Sequence, residues 1–190
     1  MRDVYAGKTV LVTGHTGFKG SWLCLWLQDL GAKVVGYSLP PSTTPNHFDA
    51  ANVQEGMTSI LGDIRDRKHL FEVFNEHQPE VVFHLAAQPI VLRGYEEPVE
   101  TFDVNAMGTV NVLEAIRQCP SVRAAVMVTS DKCYENVNQL WGYREVDQLG
   151  GPDPYSARKA MAELAISSYT RSFFGKGPAV ASARAGNVIG

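Results

Sequence analysis

The sequence predicts an α/β fold: one doubly wound parallel sheet with helices on both faces. Three observations carry that reading. Short β-branched runs alternate along the whole length with segments of helical apolar spacing, which is the pattern of βαβ units. Several of those runs are apolar on both faces, as strands covered on both sides must be. The composition also supplies a core, since AVILMFWYC residues make up 45% of the 190 residues and charged residues 19%, below the roughly 25% of an average domain. Disorder is excluded, and the length allows one domain, or one and the start of another.

The first strand is expected at 9–12 and runs straight into Thr13-Gly14-His15-Thr16-Gly17-Phe18-Lys19-Gly20. A helix opens there near Lys19 and ends at Leu30, where Gly31 supplies a left-handed cap. The second strand covers 33–37, and a loop with three prolines follows at 39–47. The third strand is expected at 57–61. Asp66 then caps a helix that buries Leu70, Phe71 and Phe74. The fourth strand covers 81–85, a helix follows at 99–117, and the fifth strand lies at 124–128. A second long loop spans 134–154, with Trp141, Tyr143, three glycines and two prolines. Long loops in a compact domain are more often functional than idle. The last helix starts after Asp153 and Pro154, an N-cap followed by a proline in the first turn. Its apolar face is expected to be Met161, Leu164, Ala165 and Ser168. The sixth strand lies at 179–183, and the sequence ends on Arg184-Ala185-Gly186-Asn187-Val188-Ile189-Gly190, turn residues with no closing helix.

Charge and cysteine usage narrow the partners. The net charge is −3 and there is no Lys/Arg run, so no field is concentrated enough for nucleic acid or an anionic membrane. The longest stretch free of charged residues, 34–48, has 15 residues and three prolines. A bilayer needs about 20 apolar residues, so no segment is expected to span one. Cys24, Cys119 and Cys133 are odd in number and far apart, which fits neither a disulfide framework nor a metal site. With no signal-peptide pattern at the start, the expectation is a reduced, cytoplasmic chain.

Two patterns carry chemistry. The glycines at 14, 17 and 20 have GxxGxxG spacing between a strand and a helix. Such a loop permits close backbone approach, and its N–H groups with the helix dipole hold a pyrophosphate. Dinucleotide sites for NAD usually place an acid after the second strand, but here that strand ends in Tyr37-Ser38-Leu39. No arginine stands there for a 2′-phosphate either, which leaves His15 or Lys19 to reach the ribose region and favours NAD over NADP. Downstream, Tyr155-Ser156-Ala157-Arg158-Lys159 puts a phenol and an ammonium on one helix face. A free phenol has a pKa near 10, and a neighbouring cation favours its ionised form, which is how a tyrosine becomes a base.

Four further stretches stand in order with these: Gly62-Asp63-Ile64-Arg65-Asp66, His84-Leu85-Ala86-Ala87-Gln88, Asn105-Ala106-Met107-Gly108-Thr109 and Arg184-Ala185-Gly186-Asn187. The set resembles the extended short-chain dehydrogenase/reductase superfamily in its nucleotide-sugar branch, over nearly the whole chain. The resemblance implies that residues 1–190 are a Rossmann-type NAD domain, with the C-terminal substrate domain missing or only begun. It implies that Gly14, His15, Gly17, Phe18, Lys19 and Gly20 surround the pyrophosphate. Asp63 and Ile64 would meet the adenine, Leu85, Ala86 and Ala87 would allow close backbone approach, and Asn105 would support the Lys159 region. Gln88, Ser130 and Asn187 would touch the substrate.

Thr129-Ser130-Asp131-Lys132 narrows the branch. By the resemblance, Ser130 would hydrogen-bond the reacting hydroxyl beside Tyr155 and Lys159. An acid directly after that serine marks the nucleotide-sugar 4,6-dehydratases, and the order Ser-Asp-Lys is most similar to members acting on CDP-glucose. The implied activity is that of a hydro-lyase in deoxysugar biosynthesis, which serves lipopolysaccharide, with Asp131 as acid and Lys132 at the carbon-5 base position. The implied assembly is a homo-oligomer, at least a dimer. Another dehydratase, a 4-epimerase or a non-catalytic dinucleotide-binding protein remain open readings. The epimerase has no use for Asp131, and an inert relative would typically have lost Ser130, Tyr155 or Lys159.

Overall fold

The computed structural model describes residues 2–188. Six parallel strands form one sheet in the order β3-β2-β1-β4-β5-β6. They are β1 (Thr9–Thr13), β2 (Lys33–Ser38), β3 (Thr58–Leu61), β4 (Val81–His84), β5 (Ala124–Ser130) and β6 (Ala179–Ala185). All six expected strands are present. The order reverses between β1 and β4, so the crevice beyond their C-terminal ends is the place where such a sheet takes a ligand.

Period-2 alternation along the strands builds two cores. Leu11, Val35, Tyr37 and Val82 point to one face and pack with Phe74, Leu113 and Ile116. Val10, Val12 and Val34 point to the other and pack with Cys24 and Leu27. The helices cover these faces: α1 (Phe18–Asp29), α2 (Arg67–His77), α3 (Val91–Glu96), α4 (Pro98–Phe102), α5 (Gly108–Gln118) and α6 (Pro154–Phe173). Their ends follow the side chains. Asp66 accepts a bond from the His69 N–H at 3.0 Å, Asp153 accepts from the Ser156 N–H at 3.0 Å, and Gly31 after α1 has φ +81.

Two expectations about helices change. The helix expected at 99–117 is continuous but not uniform: α4 passes through a π turn, Asp103–Met107, into α5. Such single π turns concentrate at functional sites, and this one carries Asn105. Most of the expected apolar face of α6 also points outward, with Met161 46% and Leu164 60% exposed and Ser168 exposed, while Ala165 packs against the core. The inner face of α6 instead buries Ser156, Arg158, Lys159, Ala162, Glu163 and Ile166. Polar side chains occupy it because they belong to the site below. Asn187 lies just past β6 and is exposed, while 189–190, the end of the expected closing turn, fall outside the described residues.

Candidate active site

The glycine loop joins β1 to α1 at the switch point. Gly14 has φ +77, and a Cβ there would sit 2.7 Å from the Ala86 backbone nitrogen. A Cβ on Gly20 would sit 2.1 Å from the Gly14 carbonyl oxygen. These two glycines are therefore required by the protein's own packing. Gly17 is different: it is exposed, its φ is −78, and an added Cβ would meet only the Gly14 oxygen at 3.4 Å. Nothing inside the protein needs a glycine at this position. Close approach of an outside group to the backbone does, and it lies where the first N–H groups of α1 have no intrahelical partner. A loop of this shape can take a pyrophosphate.

The walls of the cradle are fixed by buried polar bonds. Thr13 Oγ1 pairs with His84 Nδ1 at 2.7 Å and accepts from the Leu85 and Ala86 N–H groups at 3.2 Å. His84 Nε2 pairs with Thr109 at 3.1 Å. Burial, and next the Lys159 charge, push the His84 pKa down to about 3, so this imidazole is a neutral strut. It holds Leu85-Ala86-Ala87 against the glycine loop.

His15 does not reach the ribose region. Its ring is fully buried, bonded to Ser59 Oγ at 2.7 Å and edge-on to Phe48 at 5.3 Å. It turns inward because Gly36 leaves room: a Cβ on Gly36 would lie 2.3 Å from the His15 ring. Burial lowers its pKa to about 4. Phe18 and Lys19 open α1, Phe18 exposed and Lys19 half-buried. Where the ribose acid is missing, the structure places two hydroxyls, Thr16 Oγ1 and Ser38 Oγ, 2.9 Å apart. Spacing rules that look for an acid pass over such a neutral pair.

Asp63 is held by Arg65, which donates from Nη2 at 2.6 Å, from Nε and from its backbone N–H. Burial would raise the Asp63 pKa, but Arg65 outweighs it and holds the carboxyl below its usual range. An adenine contact would share that ion pair. Ile64 is buried against Gly108, and its carbonyl accepts from Asn111 at 3.0 Å.

Asn105 clasps the Gln88 backbone, accepting its N–H at 2.9 Å and donating to its carbonyl at 3.1 Å. The Gln88 side chain is buried and donates to Thr101 at 3.0 Å while accepting from the Ile90 N–H. Its amide is thus committed within the fold, away from the substrate contact expected of it.

Ser130 ends β5 and caps a 3-10 turn, Asp131–Cys133. Its Oγ donates to Asp131 Oδ1 at 3.0 Å and accepts from the Lys132 N–H at 3.2 Å. The Asp131 carboxylate and Lys132 ammonium lie 3.9 Å apart, and both side chains are exposed. They line an open cleft of about 940 Å³ with Tyr134, Tyr143, Ser182 and Arg184. Helix α6 packs against this turn and carries Tyr155, half-buried, and Lys159, buried. Burial, then the charges of Arg158 and Lys19, lower the Lys159 pKa to about 8.

Sequence reasoning missed a hub one turn beyond Lys159. Buried Glu163 accepts from Thr129, from Ser182 at 3.0 Å and from Arg184 Nη2 at 2.9 Å. Arg184 also donates to the Tyr134 hydroxyl at 2.9 Å and the Glu145 carbonyl at 3.0 Å. Two features could have signalled it: a lone acid on the inner face of α6, and an arginine in a strand. Among the described residues no group of three or more His, Cys, Asp or Glu is placed to hold a metal, and no helix is long and apolar enough to cross a membrane.

Comparisons with known proteins agree with this geometry. The family model described as GDP-mannose 4,6 dehydratase matches residues 11–180. CDP-glucose 4,6-dehydratase of Salmonella typhimurium is 50% identical over 100% of this chain and 54% of its own length. GDP-mannose 4,6-dehydratase of Yersinia enterocolitica is 34% identical over 87% of this chain and 46% of its own. Among solved structures, UDP-glucose 4-epimerase of Thermus thermophilus in complex with NAD superposes with a TM-score of 0.80 at 32% identity, covering 93% of this chain and 54% of that one. The chain spans about half the length of the curated relatives it matches.

Proposed function

The chain belongs to the GDP-mannose 4,6-dehydratase family, and from that premise we propose that it is the NAD-binding half of a CDP-glucose 4,6-dehydratase. The observation that carries this reading is the Ser130-Asp131-Lys132 turn. It puts an exposed carboxylate directly beside the serine at the C-terminal end of β5, against the helix of Tyr155 and Lys159. The 50% identity to a CDP-glucose 4,6-dehydratase supports the choice of nucleotide.

The cradle around Gly17 fits the pyrophosphate of a dinucleotide, and the NAD complex of the Thermus relative supports NAD as its occupant. The loop N–H groups would hold the phosphates, the Thr16–Ser38 hydroxyls would meet the ribose, and Ala86 and Ala87 would line the approach. Bound NAD would supply the hydride acceptor for oxidation of carbon 4 and return the hydride at carbon 6.

The rest is the work of side chains. Tyr155 takes the proton of the sugar 4-hydroxyl, with Ser130 orienting that oxygen and the Lys159 charge favouring the phenolate. A ketone at carbon 4 makes the carbon-5 proton removable, because the carbanion delocalises as an enolate. In this reading the carbon-5 proton passes to the free amine of Lys132 and goes back to carbon 5 when the hydride reaches carbon 6. Asp131, in its protonated form, gives its proton to the departing 6-hydroxyl, since hydroxide is a poor leaving group, and water leaves. A 4-epimerase reading draws support from the fold match to the Thermus enzyme, but leaves the Asp131 carboxylate without a task.

Partner and place follow from surface and thiols. Met107, Met161 and Leu164 are exposed on the adjoining π turn and α6, an apolar face suited to a second copy of the chain. Cys24, Cys119 and Cys133 are buried free thiols, in keeping with a reducing cytoplasm. The test of function is direct. The full-length protein is incubated with CDP-, dTDP-, GDP- and UDP-glucose and the products are identified. A 4-keto-6-deoxy sugar from CDP-glucose in preference to the others is expected, and none from any of the four would overturn the reading.

A further inference from the structure

Arg158 is buried to 0% exposure inside α6, next to the proposed lysine and three residues after the proposed base. It makes one hydrogen bond, from Nη2 to the Gln88 carbonyl at 2.8 Å. Among the described residues its Nε and Nη1 have no hydrogen-bond partner. A guanidinium out of water without a paired carboxylate is costly, and Asp153, the carboxylate that acts on its charge, is committed elsewhere. Asp153 at the N-cap is taken by the Ser156 N–H at 3.0 Å and hydroxyl at 2.6 Å.

The group that does face this cation is the Tyr155 ring, whose centroid lies 4.2 Å from the Arg158 Cζ. A cation over an aromatic face is attracted by the ring quadrupole, and more strongly when the ring carries a phenolate's charge. The position is fixed from two sides. The Gln88 carbonyl that receives Arg158 is also held by Asn105 in the π turn, and a Cβ on Gly94 of α3 would come within 3.4 Å of Nη1. We propose that Arg158 is a positioning residue for Tyr155, a buried cation whose counter-ion is the phenolate itself, so that ionising the base completes an ion pair. This rests on Tyr155 being the base.

Arg158 does not act alone on the site's charge. Burial lowers its pKa to about 10, with Tyr155 and Asp153 opposing. Lys159 on the same helix, Lys19 from the glycine loop, Cys133 from the turn after β5 and His84 on β4 lie in the same cluster. Of the cations, Arg158 is the one stacked on the phenol ring.

The test uses the full-length enzyme with Arg158→Met, which removes the charge, and Arg158→Lys, which keeps it. In Arg158→Met the acid limb of kcat/KM should move up by about one pH unit, a roughly tenfold loss at neutral pH. The KM for the sugar nucleotide should stay within about twofold, and Arg158→Lys should recover most of the limb. A limb that stays put while the melting temperature falls would show a merely structural arginine and overturn the proposal. Should the Met variant not fold, Arg158→Gln, which keeps a donor for the Gln88 carbonyl, takes its place. Alkaline titration of tyrosinate absorbance gives a readout without turnover. The component missing in Tyr155→Phe should appear at higher pH in Arg158→Met than in wild type; coincident titrations would overturn the pairing. Near-normal turnover of Tyr155→Phe would instead defeat the base assignment, and the titration separates that failure from this one.

Discussion

Lys159 shows what a single buried charge costs the fold and what it gives the site. Its folded pKa of about 8 lies below the ordinary lysine value of 10.5, so the unfolded chain binds more protons between those limits and stability rises with pH across them. Below pH 8 the full penalty is present, roughly 3 kcal/mol for such a fall. Lys159→Met should therefore raise the melting temperature at pH 7 even as it abolishes turnover, and its advantage over wild type should shrink between pH 8 and 10.5. Thermal melts across that range check this, and a pH-independent difference would contradict it. The neighbouring acid has a different signature. Asp131→Asn should still allow oxidation at carbon 4 but slow loss of the 6-hydroxyl by about 10²–10⁴-fold. Single-turnover absorbance of reduced nicotinamide should then rise without its normal decay, whereas loss of the rise itself would put Asp131 in binding or folding.

At the scale of elements, the glycine loop separates packing from recognition. Gly17→Ala should leave stability within about 0.5 kcal/mol, as surface substitutions do, yet weaken NAD about tenfold by calorimetry. Gly20→Ala should cost about 1–3 kcal/mol from overpacking before any question of binding arises. Equal NAD affinity in Gly17→Ala and wild type would remove that glycine from the cradle. These elements are legible in the sequence because their signals are local: β-branched runs give the strands, Asp66, Asp153 and Gly31 give the helix ends, and glycine spacing gives the loop. The π turn is not legible, since the side chains at 103–107 do not mark an extra residue per turn; the Asn105–Gln88 clasp across the fold accompanies it. The inner face of α6 escapes pattern reading for a related reason. Met161 and Leu164 carry the apolar spacing, but Arg158, Lys159 and Glu163 are buried by partners distant in sequence. The placement of His15 is equally non-local, because the space for its ring is made by Gly36 on another strand.

At the scale of the whole molecule, the outward face of α6 predicts assembly. Exposed Leu164 and Met161 on α6, with exposed Met107 on the adjoining π turn, should bury against a second copy, so sedimentation velocity of the full-length protein should give a dimer. Leu164→Asp should shift it toward monomer, and a monomeric wild type would refute the assignment of this face. The Glu163–Arg184 pair has a consequence of another kind. Arg184 stands next to the end of β6 and grips both α6 and the 134–150 loop. The C-terminal end of β6 is thus coupled to that helix through one buried ion pair. A tilt imposed there would be delivered to α6 as a torque, turning Tyr155 and the loop together like parts on one axle.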